Sequence, residues 1–425
     1  MFVMRCGLKD IIDKVAAGER LSFDDGVQLY ESKDILTLGE MADRVRRRLH
    51  GRVAYFNVNR HINYSNYCVL RCKFCSFYVP YAKTSDERTQ PSAGSDLAVL
   101  QGGTPQPVKQ GYELTVEEIV DRATEAYEQG ATEVHIVGGL HPKLPFSYYT
   151  DMCRAIRRAC PKMHIKAFTA IEIIHFTRIA RGRKTIAEVL GELREAGLGS
   201  LPGGGAEIFD DRVHDEAFKN KVGETEWFEV HRVAHEMGIF TNATMLYGHV
   251  ETRAERVKHL IKLRDHQDAS LASRRAHFNC VVPLSFVPQG SELAHLPGPT
   301  GLEDLRALAI SRLMLDNVAH VKAFWIMQTP KLAQVSLNWG VDDIDGTVVY
   351  YDITTCGTGF PAGQTTGWKA RPTHQELSVD RLRRLIREAG CVPVERDTLY
   401  RRVVREKGRW RVCDAAPGAV AGPRR

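Results

Sequence analysis

The sequence lacks the features that would place the chain in a membrane or on a nucleic acid. It has no run of 18 uncharged apolar residues, which excludes a hydrophobic helix that spans a bilayer. Residues 1–5 begin no long apolar segment and no cleavage signature follows, so we expect a cytoplasmic protein. The net charge is only +6, and no basic motif is interleaved with aromatic residues, so we expect no nucleic-acid binding.

Regular cysteine patterns are also scarce. No second C-x₂-C pair accompanies the single cysteine-rich segment, and the remaining cysteines are scattered: Cys6, Cys153, Cys160, Cys280, Cys356, Cys391 and Cys413. In a reducing cytosol such residues are expected to be buried small side chains or free thiols. A disulfide framework is therefore not predicted.

The cysteine-rich segment is Cys68-Val-Leu-Arg-Cys72-Lys-Phe-Cys75, with the spacing C-x₃-C-x₂-C. Iron–sulfur clusters normally take four thiolates, so three at this spacing predict a [4Fe–4S] cluster with one open iron. An open coordination position is typical of a reactive metal centre. The alternative is a zinc site completed by His61 or a remote cysteine, although this spacing is uncommon for zinc.

The order of apolar segments predicts an α/β fold, a closed (β/α)₈ TIM-type barrel with an N-terminal helical cap. We predict the cap at residues 1–50, the barrel at 51–350, and a C-terminal loop, helix and tail at 351–425. Residues 79–112 are rich in Pro, Gly, Ser and Thr and predict a flexible insertion, either a lid or an inert loop. An open (β/α)₆ barrel with a C-terminal extension is the alternative.

Strands and helices alternate along the predicted barrel. Strands are predicted at 53–59, 133–137, 163–170, 199–201, 240–246, 277–284, 321–327 and 347–350. Helices are predicted at 115–130, 148–159, 185–194, 224–237, 253–268, 302–315, 331–339 and 378–389, with a loop at 355–373 and a frayed end. Strict alternation predicts parallel strands, whose carboxyl ends carry the active site in such barrels.

The cysteine spacing, with the aromatic residue Phe74 just before the last cysteine, resembles the radical SAM superfamily. In that superfamily the open iron is chelated by the amino and carboxylate groups of S-adenosylmethionine. The resemblance implies a [4Fe–4S] cluster on Cys68, Cys72 and Cys75, with Phe74 beside the bound S-adenosylmethionine.

Glycine and polar residues follow several predicted strands, and the resemblance makes them candidates for binding S-adenosylmethionine. These candidates are Gly138, Gly139, Glu172, Ser200, Gly203, Gly204 and Glu207. In the superfamily a glycine pair at the position of Gly138 and Gly139 contacts the methionyl amino group, and a tight turn is the alternative reason for glycine here. Glu172 and Ser200 could bind ribose hydroxyls. Glu207 could bind the ribose or the sulfonium, or simply place a charge at the start of the next helix.

A substrate with carboxylates requires cationic or amide hydrogen-bond donors near the barrel mouth. The candidates are Arg60, His61, Asn63, Asn242, His249 and Gln328. A structural role is the alternative for each of them, and one histidine among 16 carries little weight.

Four further segments resemble the aminofutalosine synthases of the futalosine route to menaquinone. They are residues 135–142, 165–173, 199–209 and 241–249, and the likeness extends from about residue 8 to about residue 390. The resemblance implies a transferase that uses S-adenosylmethionine as a co-substrate. It also implies a small carboxylate substrate and an electron donor such as flavodoxin or ferredoxin.

The reaction implied by this resemblance begins with one-electron reduction of the sulfonium by the cluster. The C5′–S bond breaks, and the 5′-deoxyadenosyl radical adds to the enol-ether double bond of 3-[(1-carboxyvinyl)oxy]benzoate. Rearrangement and loss of the carboxyl carbon as bicarbonate give 6-amino-6-deoxyfutalosine.

Two alternatives remain open at this point. The chain could be a related radical SAM enzyme, a cyclic dehypoxanthinyl futalosine synthase or a deazaflavin-forming synthase, both of which begin by abstracting hydrogen. A rival of a different class is a non-catalytic iron–sulfur electron carrier or a zinc-stabilised scaffold. Such a protein would need neither the glycine pair nor the run of three glycines.

Overall fold

The computed structural model of the chain describes residues 7–81, 97–98, 106–107, 111–218, 221–348, 376–406 and 409–413. Most of the predicted insertion 79–112 and the whole predicted loop 355–373 lie outside the described residues. The helices are α1 (Lys9–Ala17), α2 (Phe23–Glu31), α3 (Ile35–His50), α4 (Val116–Glu128), α5 (Phe146–Ala159), α6 (Ala170–Ile179), α7 (Ile186–Ala196), α8 (Asp211–Ala217), α9 (Glu224–Glu236), α10 (Arg253–Ser273), α11 (Gly301–Met314), α12 (Trp325–Gln328), α13 (Pro330–Ser336) and α14 (Val379–Glu388). The strands are β1 (Val53–Asn57), β2 (Asn59–Ile62), β3 (Leu97–Ala98), β4 (Gln106–Pro107), β5 (Glu133–Ile136), β6 (His164–Ala167), β7 (Thr241–Tyr247), β8 (Phe278–Ser285), β9 (His320–Val321), β10 (Asp343–Gly346), β11 (Val392–Glu395), β12 (Arg402–Glu406) and β13 (Arg409–Cys413).

Eight parallel segments form a closed ring, which confirms the predicted (β/α)₈ barrel. The first segment is β1 followed by β2, and it continues through β5 and β6 to the short segment at 200–201, which bridges β6 to β7. The ring then runs through β7, β8 and β9 to β10, and β10 pairs with β1. His61 N also donates to Val348 O at 2.9 Å, so the upper half of the first segment closes on the last one.

Most of the described helices begin where a Ser, Thr or Asp side chain caps the first turn, although α1, α5, α9 and α12 have no such cap. The predicted capping box of Thr115 and Glu118 is confirmed at α4, and Thr185 with Glu188 forms the same reciprocal pair at α7. The helical N-terminal region is also confirmed, with α3 packed on α11 and α2 on α10 outside the barrel. Within the described ranges, no helix combines the length and the apolar character that crossing a bilayer requires.

Several predicted boundaries were wrong, because tertiary contacts overrode local patterns. Helices α6 and α8 were missed, and α6 occupies the end of the predicted strand at 163–170. The apolar run predicted as a strand at 321–327 ends in helix α12, since only β9 and Lys322 pair with neighbouring strands. The last barrel strand begins at Asp343, four residues before the predicted strand at 347–350, because its alternate acidic residues point to partners inside the barrel. Residues 349–350 of that prediction lie outside the described residues.

The C-terminal segment seals one end of the barrel, where the sequence predicted only a helix and a tail. Strand β11 pairs in parallel with β1, and Arg396 Nε donates to Asp343 Oδ2 at 2.6 Å. Thr398 Oγ1 donates to Glu133 Oε2 at 2.6 Å, and the Tyr400 ring stacks on His320 at 3.5 Å between centroids. The predicted division of the chain at residues 50 and 350 stays a prediction.

The buried pair of Arg396 and Asp343 yields a stability prediction. Arg396→Ala leaves the Asp343 carboxylate buried without its cation, and we expect a loss of about 3–5 kcal/mol in the free energy of unfolding. The matched double variant, D343N together with R396M, removes both charges, and its free energy of unfolding should fall clearly less. Urea unfolding followed by circular dichroism measures both, and equal losses would contradict the ion-pair explanation.

Candidate active site

A cavity of about 310 Å³ occupies the barrel interior and the carboxyl ends of its strands. Its wall includes most of the residues that the sequence singled out: Cys68, Cys72, Cys75, Phe74, Gly138, Gly139, Glu172, Gly203, Gly204, Glu207, His61 and Asn242. These residues come from five separate stretches of chain, so the barrel alone brings them together.

The three cysteines of the loop after β2 lie on the cavity wall. The backbone N–H groups of Leu70 and Leu140 both point at Cys68 Sγ, at 3.4 Å. Burial raises the pKa of Cys68 to about 11 and that of Cys72 to about 12, so both thiols stay protonated unless a cation binds them. Three cysteine sulfurs in one loop, one of them buried and another with two backbone donors, fit a metal cluster bound as thiolates.

The glycine pair after β5 lies directly against the cysteine loop. A Cβ on Gly139 would stand 2.3 Å from the carbonyl oxygen of Tyr67, and one on Gly138 would stand 2.6 Å from the Tyr64 ring. Neither glycine has a positive φ, so a tight turn is not the reason for glycine at these positions. Their backbone is exposed to the cavity because no side chain fits between β5 and the cysteine loop.

Glu172 holds the glycine pair in place from the start of α6. Its Oε1 accepts the Tyr64 hydroxyl at 2.8 Å and the Gly138 N–H at 3.2 Å, and its Oε2 accepts the Thr169 N–H at 2.7 Å. Burial raises the pKa of Glu172 to about 7. The carboxyl group therefore fixes the backbone of Gly138 by a hydrogen bond, and it also forms part of the cavity wall.

The run of three glycines crosses the cavity mouth between the fourth and fifth strands. A Cβ on Gly203 would lie 2.6 Å from the backbone of Ala243 in β7, and Thr244 Oγ1 donates to Gly203 O at 2.8 Å. Gly205 has φ +100°, a conformation that side-chain-bearing residues rarely adopt. Close packing thus explains Gly203 and backbone conformation explains Gly205.

Glu207 forms an ion pair with Lys221, a residue that the sequence analysis missed. Lys221 Nζ lies 5.2 Å from the centroid of the Phe74 ring and the same distance from the Phe218 ring. The ammonium group therefore fixes Phe74 through a cation–π contact beside Cys72. Glu207 has a φ of 41°, which is not a helical value, so this residue is not part of the following helix α8.

Two predicted residues of the barrel strands do not reach the cavity. Arg60 points outward from β2, where its Nη2 donates to Gln129 Oε1 at 2.9 Å, because alternate strand residues face opposite sides. Ser200 faces His164, with its Oγ 2.8 Å from His164 Nε2, below the level of the glycine run.

Three predicted residues near the barrel mouth are also absent from the cavity wall. Asn63 donates from Nδ2 to Val137 O at 2.9 Å, and His249 Nε2 lies 3.0 Å from Leu246 O. Gln328 donates from Nε2 to the Tyr247 hydroxyl at 3.1 Å and to Pro283 O at 3.0 Å. Each side chain satisfies nearby backbone groups instead of facing a ligand.

The cavity wall also includes charged residues that the sequence analysis did not select, namely Lys166, Lys322 and Asp345. Both lysines are nearly fully buried, at 2% and 4% exposure. A recognisable signal existed, because each lysine stands alone in an apolar strand segment followed by alanine. A charged side chain in that setting must find a buried partner or line a cavity.

A second group of possible metal ligands, His50, His320 and Asp342, lies at the opposite end of the barrel. Asp342 accepts hydrogen bonds from Arg312, from His320 Nδ1 at 2.6 Å and from the Val321 N–H at 2.9 Å. These donors neutralise the carboxylate, and they join α11 to β9 and β10. The group therefore has a structural explanation.

The close contact at Gly139 gives a test of the cysteine loop. Gly139→Ala would push the loop away from β5, and we expect iron bound after anaerobic reconstitution to fall at least ~10-fold, because misplaced ligands lose metal affinity to this extent. Gly191→Ala is the control, since a Cβ there would meet only the end of Met237 at 4.0 Å. Iron analysis and electron paramagnetic resonance measure the outcome, and full iron occupancy in the Gly139 variant would contradict it.

The raised pKa of Glu172 predicts a pH-dependent stability. Between pH 4.5 and about 7 the native state keeps a proton that the unfolded state has lost, so this contribution to stability falls as the pH rises. The slope is at most about 1.4 kcal/mol per pH unit, and it vanishes above the window. Urea unfolding of the wild type and of Glu172→Gln at several pH values isolates the contribution. A constant difference between them would show that Glu172 does not titrate in this range.

Comparisons with known proteins agree with this architecture. The pattern of the radical SAM superfamily matches residues 62–263, and that of the CofH/MqnC C-terminal region matches residues 276–407. The FeFe-hydrogenase maturase HydG from Carboxydothermus hydrogenoformans has the same fold, with a TM-score of 0.63 over 92% of this chain and 80% of its own, at 17% identity.

Two curated relatives carry the same name. The aminodeoxyfutalosine synthase of Thermus thermophilus is 44% identical over 397 residues, which are 92% of this chain and 95% of that protein. The aminodeoxyfutalosine synthase of Streptomyces coelicolor is 39% identical over 408 residues, which are 93% of this chain and 94% of that protein. The radical SAM domain implies a [4Fe–4S] cluster and S-adenosylmethionine, and the cysteine loop and glycine pair fit both. The chain belongs to the aminodeoxyfutalosine synthase family of the radical SAM superfamily.

Proposed function

We propose that this enzyme adds the 5′-deoxyadenosyl radical of S-adenosylmethionine to 3-[(1-carboxyvinyl)oxy]benzoate. Rearrangement and loss of the carboxyl carbon as bicarbonate would give 6-amino-6-deoxyfutalosine. The observation that carries the proposal is the single cavity that joins the cysteine loop to the glycine-lined strand ends, in a chain 44% identical to a named synthase.

Cys68, Cys72 and Cys75 would hold the [4Fe–4S] cluster, and one iron would remain open. The cluster supplies, when bound, one electron to the sulfonium of S-adenosylmethionine. Three observations support this assignment: the cysteines share one loop, they line the cavity, and two backbone N–H groups point at Cys68 Sγ. Such donors stabilise negative charge on a ligating sulfur.

Gly138 and Gly139 would receive the amino group of S-adenosylmethionine on their exposed backbone. Their position beside Cys68 supports this assignment, since a Cβ on Gly139 would lie 3.1 Å from the Cys68 Cβ. Gly203 and Gly204 would border the nucleoside across the cavity, with Glu172 and Glu207 as the acidic groups of this end. The proximity of both carboxylates to the cysteine loop suits a ligand that carries an ammonium and a sulfonium charge.

The walls between the two ends of the cavity are largely apolar. Leu246, Val282, Leu284, Phe286 and Phe324 contribute side chains to this part. Apolar walls exclude water and hold the acceptor double bond close to the radical carbon, which matters because a primary carbon radical reacts with whatever lies nearest. Positioning is therefore the main contribution of these residues to the reaction.

The electron for the cluster would come from a small acidic carrier, a flavodoxin or a ferredoxin. The outer side of the cysteine loop supports this proposal, because Arg71 is exposed and Val69 is 50% exposed, and Lys143 is exposed in the segment that follows the glycine pair. Exposed cationic side chains on this side suit an acidic donor. Replacing dithionite by a reduced flavodoxin or ferredoxin in the assay tests this part.

Product identification tests the reaction itself. After anaerobic reconstitution, we expect turnover with S-adenosylmethionine, dithionite and the enol-ether substrate to give a product in which adenine remains covalently bound. Mass spectrometry of that product is the measurement, and Cys72→Ala should abolish its formation, since one thiolate of the cluster is lost. Stoichiometric release of free 5′-deoxyadenosine would instead indicate hydrogen abstraction and would refute the addition reaction.

A further inference from the structure

Two buried lysines face each other across the barrel at the end of the cavity remote from the cysteines. Lys166 belongs to β6, the third segment of the ring, and Lys322 follows β9, the seventh. Third and seventh segments of an eight-membered ring lie on opposite sides of the interior. Both side chains line the cavity, together with His61 and His135.

Each lysine has one carboxylate partner and unused donor capacity. Lys166 Nζ lies 2.7 Å from Glu133 Oε1, and Lys322 Nζ donates to Asp345 Oδ1 at 3.1 Å. An ammonium group has three N–H donors, and within the described part of the chain neither lysine has a second acceptor at bonding distance. Burying such donors without partners is costly, so a ligand oxygen between them would be favourable.

Hydrogen-bond donors outnumber carboxylates on the wall at this end of the cavity, which favours an anionic ligand group. The acidic residues of the barrel interior are shared with the C-terminal segment, since Arg396 binds Asp343 and Thr398 binds Glu133. Of these groups only Lys166, Lys322 and Asp345 reach the cavity wall, so two ammonium groups and one carboxylate face a ligand there, while Glu133 balances the charge of Lys166 from behind the wall. Burial lowers the pKa of His61 to about 4, so this histidine adds no charge at neutral pH.

The other end of the cavity has the opposite character. The carboxyl oxygens of Glu172 and Glu207 lie there beside the cysteine loop, and Lys221 pairs with Glu207. A ligand that is cationic at one end would therefore bind near the cysteines, and an anionic group would bind near the lysines. The two ends of the cavity distinguish the two substrates by charge.

We propose that Lys166 and Lys322 bind the ring carboxylate of the benzoate substrate. This inference rests on the proposed function, which requires the enol ether to lie next to S-adenosylmethionine and hence at the cysteine end. The ring carboxylate is meta to the enol-ether oxygen, so it can extend away from the cysteine end toward the lysines when the enol ether lies next to S-adenosylmethionine. Lys166 and Lys322 thus determine which aryl ethers the enzyme accepts.

The experiment measures binding of two unreactive ethers to the reconstituted holoenzyme with S-adenosylmethionine. One probe is 3-(carboxymethoxy)benzoate, and the other is phenoxyacetate, which lacks the ring carboxylate. We expect Lys166→Met and Lys322→Met each to lower the affinity for the first probe by about 10- to 100-fold, as for loss of a hydrogen bond between charged groups. Binding of phenoxyacetate should not change, and the exposed Lys258→Met is the matched control.

A second variant distinguishes loss of ligand binding from misfolding. E133Q combined with K166M removes both members of the buried pair, so no uncompensated carboxylate remains, and its thermal unfolding should resemble that of the wild type. This variant should still bind the dicarboxylate more weakly than the wild type does. Wild-type affinity in the lysine variants, or equal weakening of both probes, overturns the proposal.

The outcomes separate this inference from the function on which it rests. If the wild type converts the enol-ether substrate and the lysine variants bind both probes normally, only the assignment of the lysines fails. If the wild type forms no 6-amino-6-deoxyfutalosine, the proposed function fails and the assignment of the ring carboxylate fails with it.

Discussion

The interior of this barrel depends on the mutual neutralisation of buried charges. Lys166, Lys322 and Arg396 face Glu133, Asp343 and Asp345 inside the closed ring, and all of these residues are at most 4% exposed. A buried charge without a partner is strongly destabilising, so the C-terminal segment stabilises the barrel by bringing Arg396 to Asp343. That segment is consequently part of the barrel, although it follows the last barrel strand by about 50 residues.

The same buried charges make the two ends of the cavity electrostatically different. Because Arg396 and Thr398 bind their acidic partners below the cavity, the two lysines above them retain donors for a ligand. At the other end the acidic residues and the cysteine sulfurs favour cationic groups and metal. A substrate pair of opposite charge can therefore be oriented before any chemistry takes place.

Close backbone packing is the second constraint at the site. Gly139 leaves no space for a side chain against Tyr67, and Gly203 leaves none against Ala243. Glu172 and Thr244 then fix these segments by hydrogen bonds to Gly138 and Gly203. The glycines thus present their backbone to the cavity because their neighbours exclude side chains, and this geometry is compatible with ligand binding at the same surface.

Local patterns in the sequence were sufficient for the barrel, the N-terminal helices and the cysteine loop. Alternating apolar segments and capping residues such as Thr115 and Thr185 are local signals, and they survive in the folded chain. Boundaries failed where the last strands depend on distant partners, as at β10, whose acidic residues bind Lys322 and Arg396.

For the site, the sequence by itself determined which residues could bind a cluster and a nucleoside, because spacing and glycine content are properties of the chain. Only the tertiary structure decided which side chains face the cavity. Arg60 and His61 are neighbours in the sequence, yet the alternation of a strand sends Arg60 to Gln129 and His61 into the cavity. Lys166 and Lys322 are 156 positions apart by residue number, and the closed ring alone brings them to the same end of the cavity.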